Sequence, residues 1–156
     1  MDKSSGVLSD SSTKELEIIE FEMNKNKFGI NVVKVREIIQ PLPITPIPHA
    51  HRTILGIIQL RGEVLPVISL EQALNLSPVE NCDLTNEKFI VAELNDQKVV
   101  FHVHHVTQIH RIPLDMVEKP SELYAVDRSQ IIGVIKQAEE IILLIDFEKI
   151  IKDINQ

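Results

Sequence analysis

Residues 54–70 read ILGIIQLRGEVLPVISL: two runs of aliphatic and β-branched residues separated by Arg61, Gly62 and Glu63. Runs of this length bounded by a Gly-containing turn signal predict two paired strands, a hairpin with a charged tip. An arginine beside such a turn is not buried without a partner. Arg61 is therefore expected either to face another macromolecule or to fold back on Glu37 or Glu63 and brace the turn. Pro66 cannot donate to a ladder, which predicts that its strand lies at an edge or a bulge.

The flanking sequence extends the β pattern in both directions. ELEIIEFEM (15–23) alternates acids with Leu16 and Ile18, then changes parity at Ile19, Phe21 and Met23, so a bulge or a strand packed on both faces is expected. A polar turn at 24–27 leads into a returning strand through Phe28, Ile30 and Val32. VVKVREII (32–39) suits either a helical turn or a continued strand. Pro41, Pro43, Pro46 and Pro48 forbid helix, so 40–49 should run extended along the surface or an edge. Ser69 with Gln72 is a capping-box pattern and predicts a short helix through Leu74 or Leu76 that closes the first half.

Farther on, 88–94 and 98–103 predict strands joined by Asn95 and Asp96, with extended chain resuming at 109–113. IIGVI (131–135) and IILLI (141–145) are continuously apolar and are expected to pair as the innermost strands. Asp146 can cap a last helix whose Phe147, Ile150, Ile151 and Ile154 share one face. Residues 1–13 are Ser-rich and aperiodic, and read as a disordered tail.

Composition agrees. Ile and Val make up more than half of the hydrophobic residues, a mix for pleated surfaces and not for a Leu/Ala bundle. The fold class is mostly β. Sixteen basic against 23 acidic residues give a net charge of −7, with no basic stripe, which argues against nucleic acid as a partner. No apolar run approaches the roughly 18 residues of a spanning helix, so no direct membrane insertion is expected. A single Cys82 and no secretory signal fit a reducing cytoplasm.

Catalytic patterns are sparse. No Gly-rich phosphate loop, no G-x-S-x-G elbow and no Cys beside a positioned base is present. His102 and His104 would share one strand face, with His105 opposite, and His49 and His51 repeat the spacing in the Pro-rich segment. A zinc- or iron-dependent hydrolase or lyase is the alternative this raises. Without H-E-x-x-H or a carboxylate behind the imidazoles, polar histidines on strand faces are the simpler account.

Taken together, FGINVVKVREII from Phe28, the 54–70 hairpin, FHVHHVTQI from Phe101 and the terminal IILLIDFEKII resemble the CheW-like domain, the coupling module of bacterial chemotaxis, from about Leu16 to Ile154. FHV at 101–103 and QIHR at 108–111 look most like the coupling half of CheV proteins. The resemblance implies two packed five-stranded SH3-like barrels with short helices and a C-terminal helix, forming one coupling domain over 14–156. It implies an adaptor without enzymatic activity or cofactor, joining chemoreceptor cytoplasmic tips to the regulatory domain of the histidine kinase CheA. The family's contact positions fall on Val35, Glu37, Gly56, Arg61 and Gly62, while Val103, Val106 and Ile109 match a second-barrel strand bordering the groove.

Two departures stand out. His104 and His105 occupy positions where the family often has Asp before a small residue. Nothing after Ile154 could be the receiver domain of CheV proteins, so the chain is expected to be either a coupling half or a coupling protein that stands alone.

Overall fold

The 54–70 hairpin forms as expected: β4 (Ile54–Leu60) and β5 (Glu63–Ser69) pair antiparallel around Arg61 (φ 49°) and Gly62 (φ 84°). Two consecutive positive-φ residues match the twist of the flanking strands. The computed structural model describes residues 14–77, 84–121 and 130–154. The expected tail at 1–13, most of the polar connection at 77–86 and Cys82 lie outside the described residues.

The remaining strands are β1 (Glu15–Met23), β2 (Asn26–Asn31), β3 (Val35–Ile39), β6 (Lys88–Leu94), β7 (Gln97–Val103), β8 (His105–Pro113), β9 (Val117–Glu118), β10 (Ile131–Gln137) and β11 (Glu140–Ile145). The ambiguous 32–39 stretch is both things in turn, a single 3-10 turn at Val32–Lys34 and then β3. Helix α1 (Leu70–Ala73) is capped by the Ser69 hydroxyl, which accepts the Gln72 amide at 3.2 Å. Helix α2 (Phe147–Ile154) is capped by Asp146, whose carboxylate accepts the Lys149 amide at 3.1 Å.

These strands form two sheets, one in the order β8-β1-β2-β11-β10-β9 and one in the order β3-β6-β7-β5-β4. Two closed five-stranded barrels are therefore not what the chain builds. One sheet carries a two-residue sixth strand, and among the described residues no backbone ladder joins the first strand to the last in either. Each sheet is instead SH3-like and curled around a small apolar core: Ile58, Leu65, Phe89 and Val91 in one, Ile18, Ile112, Ile135 and Ile142 in the other.

Two further corrections follow from the pairing. β5 is an interior strand, parallel to β7 through Val67, Ile68 and Ser69, so Pro66 sits just outside that ladder and not at a sheet edge. β10 borders the stub β9, and Ile132 and Ile141 are exposed, so the IIGVI strand is not innermost. The parity change in β1 is that of a strand packed on both faces, with Leu16 and Ile18 on the six-stranded sheet's own core and Ile19, Phe21 and Met23 in the main core, while the one register shift beside it, at Glu20 and Phe21, puts its extra residue in β8.

The main core lies where the sheets pack together. Hairpin β1–β2 contributes Ile19, Phe21 and Phe28, hairpin β6–β7 contributes Ile90 and Phe101, and α2 inserts Phe147 and Ile150. The Phe101 and Phe147 rings meet edge to face at 5.3 Å. Each such fully buried side chain stabilises the fold by roughly 1.5–3 kcal/mol.

A pseudo-repeat underlies the topology. The sequence at 131–147, IIGVIKQAEEIILLIDF, follows 54–70 position for position, with Gly133 at Gly56, Ala138 (φ 49°) at Arg61 and the Asp146 cap at Ser69. Both hairpins shift register beside their glycine, between Ile54 and Gly56 and between Ile131 and Gly133. Hairpins β1–β2 and β6–β7 are exchanged, each completing the sheet of the other half.

Candidate functional site

In the five-stranded sheet, β3 and β4 are the two ends of the strand order. Arg61, at the tip of β4, reaches Glu37 on β3: Nη1 donates to Oε2 at 2.6 Å and Nη2 to Oε1 at 2.8 Å. This two-pronged contact is the directional form an arginine makes with a carboxylate. It crosses the open seam and takes the place of the missing ladder. Arg61 is thus both paired, as one of the two sequence readings had it, and open to the surroundings, its side chain 67% exposed against 32% for Glu37.

The guanidinium's hydrogen bonds hold the Glu37 carboxyl below its ordinary range, against desolvation and with help from the Arg61 and Lys98 charges. Neighbouring charges alternate: Lys98 pairs with Glu63 at 2.8 Å, and Arg36 with Glu93 at 2.7 Å. Glu63 is thereby occupied by Lys98 and not by Arg61. Gly62 has open space around it, while Val35 is half-buried against the main core.

Gly56 has a different setting. It is buried, at φ +154°, and a Cβ there would run into the Thr45 carbonyl and the Ile44 side chain. Thr45 pairs with Ile57 through two backbone hydrogen bonds of 2.9 Å, so the Pro-rich segment does run extended along the β4 edge. The glycine lets that segment lie flat, which fixes the rim beside Arg61 without presenting a side chain.

On the six-stranded sheet, β8 is an edge strand. The three do not share one strand as the resemblance implied: Val103 ends β7 of the five-stranded sheet and is fully buried, while on β8 Val106 is half-buried against the main core and Ile109 is 59% exposed. Only Ile109 of the three offers a large apolar surface.

The histidines at this junction are tied into the fold. His104 Nδ1 accepts the Asn24 amide at 3.2 Å, and burial followed by the adjacent His102 pushes its pKa down. His102 Nε2 lies 2.9 Å from Glu87, with its ring edge-on to His104 at 5.8 Å. His51 Nδ1 accepts the Thr53 amide at 3.2 Å. Among the described residues no three His, Cys, Asp or Glu side chains converge as a metal site.

Sequence reasoning missed a buried polar cluster. Glu20, 2% exposed, is held by Thr107 and His110 of β8 and by Lys27 of β2. It alternates with Ile19 and Phe21 and shares a strand face with Ile18 and Glu22, a pattern that does not distinguish a solvated acid from a buried one. The likeness of hairpin β1–β2 to hairpin β6–β7 was the available signal, because it sets Glu20, which pairs with Gly29, at the position of Val91, which pairs with Val100.

Comparison with known proteins accounts for this architecture. Residues 17–155 match the CheW-like domain. The chain belongs to the CheW-like domain family. The CheW-like chain is 29% identical over 145 residues to the chemotaxis protein CheW of Thermotoga maritima, covering 91% of each. It is 28% identical to the chemotaxis protein CheV3 of Helicobacter pylori, over 94% of this chain and 50% of that protein. Among solved structures, the scaffolding protein TtCheW from Thermoanaerobacter tengcongensis superposes with a TM-score of 0.78 at 25% identity, over 86% of each chain. CheW and CheV relatives match at similar identity, so the likeness extends to both. Among the described residues no helix of this CheW-like chain is long and apolar enough to cross a membrane.

Proposed function

We propose that this chain is a chemotaxis coupling adaptor, binding the regulatory domain of the histidine kinase CheA and the cytoplasmic tips of chemoreceptors through its rims. Membership of the CheW-like family, with a scaffolding protein as structural neighbour, is the observation that carries the reading. The geometry suits it. An exposed guanidinium fixed by a carboxylate is a preorganised donor, and arginine in such settings is a common interface anchor. The five-stranded sheet offers Val35, Glu37, Arg61 and Gly62 at one seam, with Gly56 shaping the neighbouring edge. The six-stranded sheet offers Ile109 and Val106 on β8, with Val103 of the five-stranded sheet buried in the core that Val106 packs against.

Titration of the whole chain against the CheA regulatory domain, and separately against a receptor helical-hairpin tip, tests the proposal. Saturable binding to both is the expected result. A chain that binds neither would remove the function and the site together.

A further inference from the structure

The two sheets share one plan but close their seams by different chemistry. In the five-stranded sheet the interior at the seam is apolar, with Val91 buried and Ile39 and Leu60 packed beside it. The matching positions of the six-stranded sheet are Glu20, His110 and Gln137. There His110 Nε2 lies 2.5 Å from Glu20 Oε1, and Gln137 Nε2 lies 3.4 Å from His110 Nδ1, joining β8 to β10 across the seam. Lys27 Nζ reaches Glu20 Oε2 at 3.2 Å and also pairs with Glu140, as Lys98 pairs with Glu63 in the other half.

A carboxylate is costly to bury where valine serves the same fold, and removing one member of a satisfied buried network strands the rest. The feature that Glu20 adds is control of β8. The Thr107 hydroxyl lies 2.5 Å from Glu20 Oε2 and 3.1 Å from the Glu20 carbonyl. Thr107 is the extra residue of the β8 bulge, since Gln108 pairs with Glu20 and Val106 with Phe21. Bulges re-aim the side chains around them. Val106 and Ile109 stand on either side of this one.

We infer that Glu20 is a positioning residue, a buried carboxylate that pins the β8 bulge through Thr107 and His110 so that Val106 and Ile109 are presented to a helical receptor tip. The inference rests on the adaptor reading. A helix is the occupant because the bulge interrupts the ladder along this edge, which disfavours addition of a strand from another barrel.

Thr107→Val keeps the shape and removes the hydroxyl, Thr107→Ser restores it, and Glu20→Gln leaves three donors facing one neutral amide. Amide hydrogen exchange on the chain alone is expected to accelerate across β8 in Thr107→Val and Glu20→Gln, with β4–β5 unchanged. Affinity for the receptor-tip fragment is expected to fall about tenfold in Thr107→Val, the loss of one hydrogen bond to a charged group. Thr107→Ser should recover it, and affinity for the CheA regulatory domain should stay within about twofold. Unchanged β8 protection in both variants, or equal losses for both partners, would overturn the inference. Failure of the adaptor reading shows separately, as wild-type chain that binds neither fragment, and the exchange data would still decide whether Glu20 pins β8.

Discussion

Arg61 and Glu37 occupy opposite ends of one sheet's strand order, yet two N–H···O contacts of 2.6 and 2.8 Å join them. The pair therefore closes the curled sheet where, among the described residues, no backbone ladder does, and leaves its guanidinium facing outward. Bracing and presentation are the same contact.

Arg61→Ala is expected to leave the far-ultraviolet spectrum and unfolding midpoint close to wild type, while affinity for at least one partner falls roughly tenfold or more. Arg61→Lys should not rescue, because an ammonium cannot make the two-pronged contact. The exchange Arg61→Glu with Glu37→Arg restores the seam but moves the guanidinium. If that double variant binds as wild type in a titration against both partners, Arg61 is a brace and nothing more.

Gly56→Ala is expected to destabilise by about 2–4 kcal/mol, combining strain at positive φ with a backbone clash. Gly133→Ala at the matching position should cost less, since the nearest obstacle there is the Val117 side chain. Urea unfolding of the two variants side by side measures the difference.

The acid limb of stability should carry Glu20. Burial raises its pKa, but hydrogen bonds from Thr107, His110 and Lys27 together with the Lys27 charge outweigh that and hold it below 4.5. A carboxyl depressed in the folded state stabilises above its unfolded value and loses that contribution as pH falls through the folded one. Glu20→Gln should therefore cost about 1–3 kcal/mol at pH 7, shrinking toward pH 3. Urea unfolding at several pH values tests this, and a pH-independent difference would contradict it.

His104 adds a second slope at higher pH. Its pKa lies below 6.5, through burial and then the neighbouring His102. Below pH 6.5 the unfolded chain takes up this proton before the folded one, so stability falls as pH drops. His104→Asn keeps an acceptor for the Asn24 amide and removes the titration. Its stability curve should be flatter than wild type from pH 6.5 down to the range governed by Glu20.

Elemental analysis of the purified chain is expected to find no stoichiometric zinc or iron. Metal at unit occupancy would revive a catalytic reading of the histidines.

Local structure was legible wherever one residue's chemistry decides it. Gly62 between aliphatic runs marked the hairpin, and Ser69 and Asp146 marked the helix starts. All eight candidate contact positions were assigned by resemblance, with Arg61 argued from the hairpin as well, and Gly56 and Val103 prove to be buried. Glu20 was illegible, because an acid alternating with isoleucines reads the same whether its face meets water or a second strand.

The order of residues by itself determined the strands, their turns, their caps and a repeated hairpin, because backbone preference and side-chain period act over a few neighbours. Only the tertiary structure decided that the β1–β2 and β6–β7 hairpins exchange sheets and that β5 runs inside. It also decided which charges meet across the two seams. Those outcomes depend on burying faces far apart in the chain, and a buried face is a property of the whole packing, not of any segment read alone.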